Sequence, residues 1–327
     1  MDSTPLFGLS ITDFMPSTDK CLEYLRNIRW KDKRICPICD SDEVKKNGTE
    51  NGKQRYYCHE HGGSFNDTTG TVFHNSKIPI NKWFYFIFHY PLNLSAKILM
   101  EILCISYKTA LRMAREIQKI VAKWNPPKLE YDIVEFDEMY LSCGSKGEEV
   151  SDREPRKRGL KLKGRGTMDK DKPPIIGVCD RKGNLIVDVF DHADADSIFS
   201  LFIRAMKKIT DWLKVYTDDF SAYRFLKETW IKYESVNHSK KEYARGEVHN
   251  NTIEGYWSVL RHWMNTYRGV SKKYLPKYIK FFEFVENTKK KGWFEVFNKL
   301  IFFMPFIWAL WRVNYTFIEI ELIEIKE

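Results

Sequence analysis

The chain has 327 residues, room for two or three modules, and its 43% hydrophobic and 30% charged content excludes a wholly disordered polypeptide. A formal net charge of +9 favours polyanionic partners, because phosphates neutralised by Lys and Arg release their counterions. Seven cysteines, with no basic-then-apolar leader at the N-terminus, point to a reducing, intracellular compartment. The apolar run 300–311 is broken by Pro305 and is shorter than the roughly 20 residues a bilayer span needs, so a buried or partner-facing helix is expected there and no membrane association.

Cys21, Leu22, Tyr24, Leu25 and Ile28 fall near helical spacing and predict a short amphipathic helix at the start. From 35 to 67 the text turns to cysteines, glycines and short alternating runs, the pattern of a small sheet held by a metal. Cys36-Pro-Ile-Cys39 and Cys58-His-Glu-His61 are two pairs, each with two intervening residues. A tight turn aims both members of a pair at one ion, and two such turns complete the tetrahedron that Zn2+ prefers. The expected site is structural, with Cys36, Cys39, Cys58 and His61 as ligands, or His59 in place of His61. Cys21, Cys104, Cys143 and Cys179 sit in apolar contexts and read as core residues.

Residues 80–124 read as helical: an aromatic segment with Trp83, Phe84, Phe86 and Ile87, then two amphipathic stretches split near Ile105-Ser106. Ser106 is placed to cap the second stretch, which carries Arg112, Arg115 and Lys119, and the pair suggests a helix-turn-helix that binds DNA. Asn125-Pro126-Pro127 stops the helix and is taken as a domain boundary. Beyond it, strands are expected over 133–141, 174–179 and 185–190, the last two joined by the turn Asp180-Arg181-Lys182-Gly183. A helix over 197–209 and a strand over 214–217 follow, predicting an α/β fold with a mixed sheet and packed helices. The basic loop 153–165, with Arg156, Lys157 and Arg158, either tracks phosphates or is a solvated insertion.

Three acids stand out by context. Asp137 interrupts the apolar alternation of Val134-Glu-Phe-Asp-Glu138, and Asp218 ends the apolar strand Val215-Tyr-Thr-Asp218. Glu254 opens a helix in His249-Asn-Asn-Thr-Ile-Glu-Gly-Tyr-Trp-Ser258. One acid on each of three elements is a way to assemble a cage for Mg2+ or Mn2+, and two such ions suit cleavage or joining of phosphodiesters. Glu135 and Glu138 flank Asp137 and are expected to turn to the opposite strand face. Asn251, one turn before Glu254, is placed to reach the metal or to cap the helix. Arg261, two turns after Glu254, is placed to meet a DNA phosphate or is a plain surface arginine.

These motifs, with Gly70-Thr-Val-Phe-His74, Tyr216-Thr-Asp218 and Val236-Asn-His-Ser239, resemble the Merlin-type insertion-sequence DDE transposases, whose ISXO2-like domain follows a zinc ribbon. The resemblance runs over about residues 14–287 and implies a ribonuclease-H-like catalytic region with flanking helices. It makes Asp137 and Asp218 the first two metal-binding acids, puts the third at Asn251 or Glu254, and gives Arg261 the place of the family's basic residue. It also implies binding of terminal inverted repeats and target DNA, strand cleavage and transfer, a homo-oligomer, and residence with the cell's DNA. The competing expectation is a catalytically inactive or domesticated DNA-binding regulator. The corresponding division is 1–78 (helix and zinc ribbon), 79–127 (helical DNA-binding region), 128–291 (catalytic domain) and 292–327 (apolar tail of unassigned role). The sequence departs from the family at His61, where many relatives carry cysteine, and in the tail after 291.

Overall fold

The computed structural model describes residues 15–31, 33–145, 164–229, 231–236 and 244–304. The predicted DNA contacts Arg156, Lys157 and Arg158, and most of the apolar run 300–311, lie outside them. The chain forms two compact units. One gathers the described residues up to Phe88, Glu101–Ile105 and those from Phe297 on; the other takes His89–Met100 and the described residues of Ser106–Val296.

In the first unit, α1 (Thr18–Trp30) starts where the Ser17 side chain accepts the amide of Lys20, and it buries Cys21, Leu22, Leu25 and Trp30. A small antiparallel sheet follows, in the order β1 (Val44–Glu50), β2 (Lys53–Cys58), β3 (Gly63–Asn66). Its core is a cluster of Trp30, Tyr56 and Phe65, with ring centroids 5.3–6.1 Å apart. So few apolar residues cannot hold a sheet alone. Asp67, fully buried, ties α1 to the exit from β3: it accepts from Arg26 at 2.8 and 3.1 Å and from the Tyr56 hydroxyl at 3.0 Å. In the same unit α2 (Ile80–His89) sets the Phe84 ring against Tyr24 and Phe297. Leu300 and Ile301, at the start of the apolar run, are buried in the helix α8 (Trp293–Phe303).

Helices α3 (Ala96–Leu103) and α4 (Tyr107–Val121) are joined by a turn that holds Cys104 at φ 49°. Ser106 caps α4 as its sequence predicts, accepting from the Thr109 amide at 3.1 Å. Cys104 itself is exposed, a correction to its reading as a core residue, because the left-handed turn carries it off the apolar stripe; Cys21, Cys143 and Cys179 are buried.

The second unit is built on a five-stranded sheet of β4 (Ile133–Tyr140), β5 (Pro174–Asp180), β6 (Leu185–Val189), β7 (Lys214–Asp218) and β8 (Lys232–Val236), in the order β6-β5-β4-β7-β8. The first three strands form an antiparallel meander, and β7 and β8 add parallel to β4. Helix α5 (Ala195–Ala205) covers one face, packing Leu201 and Phe202 on Phe136, Ile176 and Val178. The opposite face carries α6 (Asn251–Asn265) on β4 and β5, and α7 (Leu275–Thr288) on β6. This is the ribonuclease-H-like arrangement, a mixed sheet between helices. Helix α4 packs on α7, where Gln118 donates to the Tyr90 hydroxyl at 2.7 Å and Tyr90 stacks on Phe281. Strand β8 was not expected: in Lys-Tyr-Glu-Ser-Val only Val236 is buried, and an edge strand hides its alternation.

Candidate metal centres

The first centre lies at the end of the small sheet where the β2–β3 turn carries His61. The Cys36 and Cys58 thiols and the His61 ring each bring a ligand atom within 4.8 Å of the others. Cys36 Sγ stands 3.8 Å from His61 Nδ1, and Cys39 Sγ stands 3.5 Å from Cys58 Sγ. Three of the predicted zinc ligands therefore converge, and Cys39 stands beside them against Cys58. His59 does not join them; its ring lies against Tyr57 instead. Gly63 is needed beside the site, since a Cβ there would come within 2.6 Å of the His61 ring. Burial pushes the Cys36 thiol up to about 11, so a thiolate at neutral pH calls for a cation beside it.

The second centre grows from the sheet. Strands β4 and β7 pair in parallel only through Ile133↔Lys214, Val134↔Val215 and Glu135↔Tyr216. Carrying that register two residues further brings Asp218 level with Asp137, at a point where the ladder has ended. Asp137, Glu138 and Asp218 converge there, each with a carboxylate oxygen within 4.8 Å of the others. Burial raises Asp137 well above the usual carboxylate range, with the charges of Glu138 and Asp218 adding to it. Burial and then Asp218 push Glu138 up to about 7, against the opposing pull of Arg165. Arg165 lies 3.3 Å from Glu138 and 3.9 Å from Asp218, with its guanidinium 3.5 Å from the centre of the Phe220 ring. Tyr223 donates to Glu138 at 3.1 Å from below. Three crowded acids whose charges repel are the donor set a hard divalent ion relieves.

Glu138 was not singled out from the sequence, and Glu135 was given the wrong face. Side chains alternate, so Glu135, two residues before Asp137, shares its face and points at α6. Fully buried, it accepts from the amides of Thr252 at 2.9 Å and Ile253 at 3.0 Å, and from the Thr252 hydroxyl at 2.8 Å. Arg181, in the β5–β6 turn, pairs with it at 2.5 Å. Glu138 does take the other face, but beyond the end of the β4–β7 ladder its carboxylate reaches the same cleft.

Helix α6 crosses the Asp137 face. Trp257 donates its indole N–H to Asp137 Oδ2 at 2.9 Å. Asn251 and Glu254 occupy the first turn of this helix and are exposed, and Arg261 is exposed two turns on. The trio Asp137, Asp218 and Glu254 does not converge within 4.8 Å among the described residues; Glu138 takes the third place in the cluster. On α4, Arg112 and Lys119 are exposed, while Arg115 is half-buried with its guanidinium over Tyr274.

Residues 131–287 match the ISXO2-like transposase domain and residues 16–60 the transposase zinc-ribbon domain. The chain is 35% identical over 278 residues to a protein in transposable element ISH50 of Halobacterium salinarum, covering 84% of this chain and 92% of that protein. This chain belongs to the family of transposases with an ISXO2-like domain and a zinc ribbon. Among solved structures it is similar to a chain of a pre-cleavage Mos1 transpososome, at 15% identity and a TM-score of 0.28 over 66% of this chain and 72% of that one. A chain of the Mos1 strand transfer complex is similar at 15% identity and a TM-score of 0.23, over 63% and 73%. No helix among the described residues is long and apolar enough to cross a membrane.

Proposed function

We propose that this protein is an active DNA transposase, which binds the terminal inverted repeats of its element, cuts the strands there and joins them to target DNA. The observation that carries the reading is the meeting of Asp137, Glu138 and Asp218 at the unpaired end of the β4–β7 ladder, in a chain of transposase family. Bound by these acids, Mg2+ or Mn2+ would activate the attacking oxygen and steady the leaving one. Asp137 and Asp218 would hold the metal from neighbouring strands, with Glu138 as a further carboxylate donor beside them. Glu254, or Asn251 one turn earlier, supplies the remaining ligand from α6. Arg165, already beside the acids, is positioned for a backbone phosphate, and Arg261 meets the DNA further along α6.

The zinc ribbon holds Zn2+ through Cys36, Cys39, Cys58 and His61 and serves as a rigid part of the DNA-binding front end. Arg112, Arg115 and Lys119 of α4, and Arg156, Lys157 and Arg158 of the basic loop, add phosphate contacts. The catalytic domain spans 128–291, after a zinc ribbon within 1–78 and a helical DNA-binding region over 79–127, with the role of 292–327 left open. Two element ends must be held together, so a homo-oligomer working on the cell's DNA is expected.

The experiment is cleavage and joining of labelled double-stranded DNA that carries the element's own ends, with Mg2+ or Mn2+. Wild type is compared with Asp137→Ala, Asp218→Ala, Glu138→Gln, Glu254→Ala and Asn251→Ala. Metal-dependent products lost in both Asp variants support the reading, and the α6 variant that loses them names the last ligand. Tight binding of the ends without cleavage by the wild type would make the protein a DNA-binding regulator derived from a transposase.

A further inference from the structure

Asp137 lies opposite Gly177 across the β4–β5 pair. Gly177 adopts no left-handed conformation that would demand glycine; what it supplies is room. A Cβ at Gly177 would stand 2.6 Å from Trp257 Cη2, 2.9 Å from its Cζ2 and 3.2 Å from Ile253 Cδ1. The indole therefore lies in a slot made by the missing side chain, flat enough on the sheet for its N–H to reach the neighbouring strand.

The consequence falls on Asp137. Its Oδ2 accepts the Trp257 indole N–H at 2.9 Å, and its Oδ1 accepts the Glu138 amide at 2.8 Å. Both oxygens are thus pinned from different directions, one by the strand itself and one by α6. A carboxylate held this way cannot swing away from its like-charged neighbours, and it presents its remaining lone pairs in one fixed plane. Trp257 is itself 2% exposed. A buried indole N–H needs an acceptor, yet a backbone carbonyl would meet that need without involving an acid of the cluster.

We propose that Trp257 is a positioning residue for the metal centre: seated in the Gly177 slot, it orients the Asp137 carboxylate and links α6 to the cleft. This rests on the assignment of Asp137 as a metal ligand. Groups that orient ligands from outside the coordination shell are commonly worth about 10- to 100-fold in metal affinity.

The test is Mn2+ binding to the zinc-loaded full chain, followed by calorimetry and by the electron-spin resonance signal of free Mn2+, with no DNA and no turnover required. Trp257→Phe keeps a buried ring and loses the N–H. Gly177→Ala keeps the N–H and crowds the ring out of its slot. Trp263→Phe is the control, a buried indole on the same helix whose ring packs on Tyr267, Phe281 and Phe282. Trp257→Phe and Gly177→Ala are expected to weaken Mn2+ binding about 10- to 100-fold, with Trp263→Phe like wild type and thermal unfolding monitored for all three. Wild-type affinity in folded Trp257→Phe, or equal weakening by Trp263→Phe, overturns the proposal. If Asp137→Ala also binds Mn2+ as the wild type does, the metal assignment itself fails, and that outcome is separate from the first.

Discussion

Glu135 of β4 accepts the backbone amide of Thr252 at 2.9 Å, and with it the start of α6. The helix's own N-cap residue, Asn250, makes no side-chain cap; its amide group donates to the Phe136 carbonyl instead. The free amides at the helix N-terminus are therefore answered by a carboxylate from the sheet, which also favours the positive end of the helix dipole. Glu135→Ala removes this acceptor and leaves Arg181 with the Glu247 carbonyl and the His249 ring but no carboxylate partner. A loss of about 3 kcal/mol is expected, at the low end for a broken buried pair because Arg181 keeps some access to water; urea unfolding measures it. Glu135→Gln, which can still accept one amide, should lose less.

The zinc ribbon has too small an apolar core to stand without its ion. Chelation should abolish the structure of the small sheet while leaving the five-stranded sheet folded, because the two belong to different compact units. Metal analysis of the wild type should find one zinc per chain, reduced in Cys36→Ser and His61→Ala. Undiminished zinc in both variants would refute the four-ligand site.

Glu283 of α7 is buried against β6, where it accepts the Val187 amide at 2.8 Å and pairs with Lys280 at 3.0 Å. Burial raises its pKa despite Lys280. A carboxyl whose folded pKa lies above its unfolded value contributes its full stability below the unfolded pKa, and that contribution is lost as pH rises through the folded one. Stability of wild type relative to Glu283→Gln should therefore fall as pH climbs from the ordinary carboxylate range toward neutrality. Parallel stability curves across that window would show that the lysine cancels the burial.

Arg165 competes with any cation for Glu138 and Asp218. Arg165→Ala should bind Mn2+ about 10-fold more tightly, since a unit charge some 4 Å from a divalent ion costs about 2 kcal/mol even at the dielectric constant of water, part of which the exposed arginine relieves by swinging away. Weaker binding in the variant would mean that the arginine shapes the site more than it blocks it.

The meeting of Asp137 with Asp218 was legible because an acid in an apolar strand has to be explained, and that of Cys36, Cys58 and His61 because their spacing reports a geometry directly. Glu138 was not, since strand alternation excludes it from the Asp137 face; only the early end of the β4–β7 ladder lets both faces open on one cleft. Glu135 follows from the two-residue period alone, which puts it on the Asp137 face beneath α6. Trp257 carries no signal of its own within the helix that Glu254 opens, and nothing in the sequence says that Gly177 lies under it. Helix α7 was hidden by Glu283 and Glu286, charged residues at buried positions that break its apolar stripe.

The early end of the β4–β7 ladder leaves Asp137 and Asp218 level with each other with no backbone pairing between them. β4 still pairs with β5 at Asp137 and β7 with β8 at Asp218, so the backbone of each residue belongs to the sheet while its carboxylate is part of no ladder. A descendant copy that lost both carboxylates would keep every backbone pair of the sheet and, on the proposed function, would still bind the DNA that the intact protein binds. Decay of the chemistry in such a lineage would leave behind a well-formed antagonist of the parent protein.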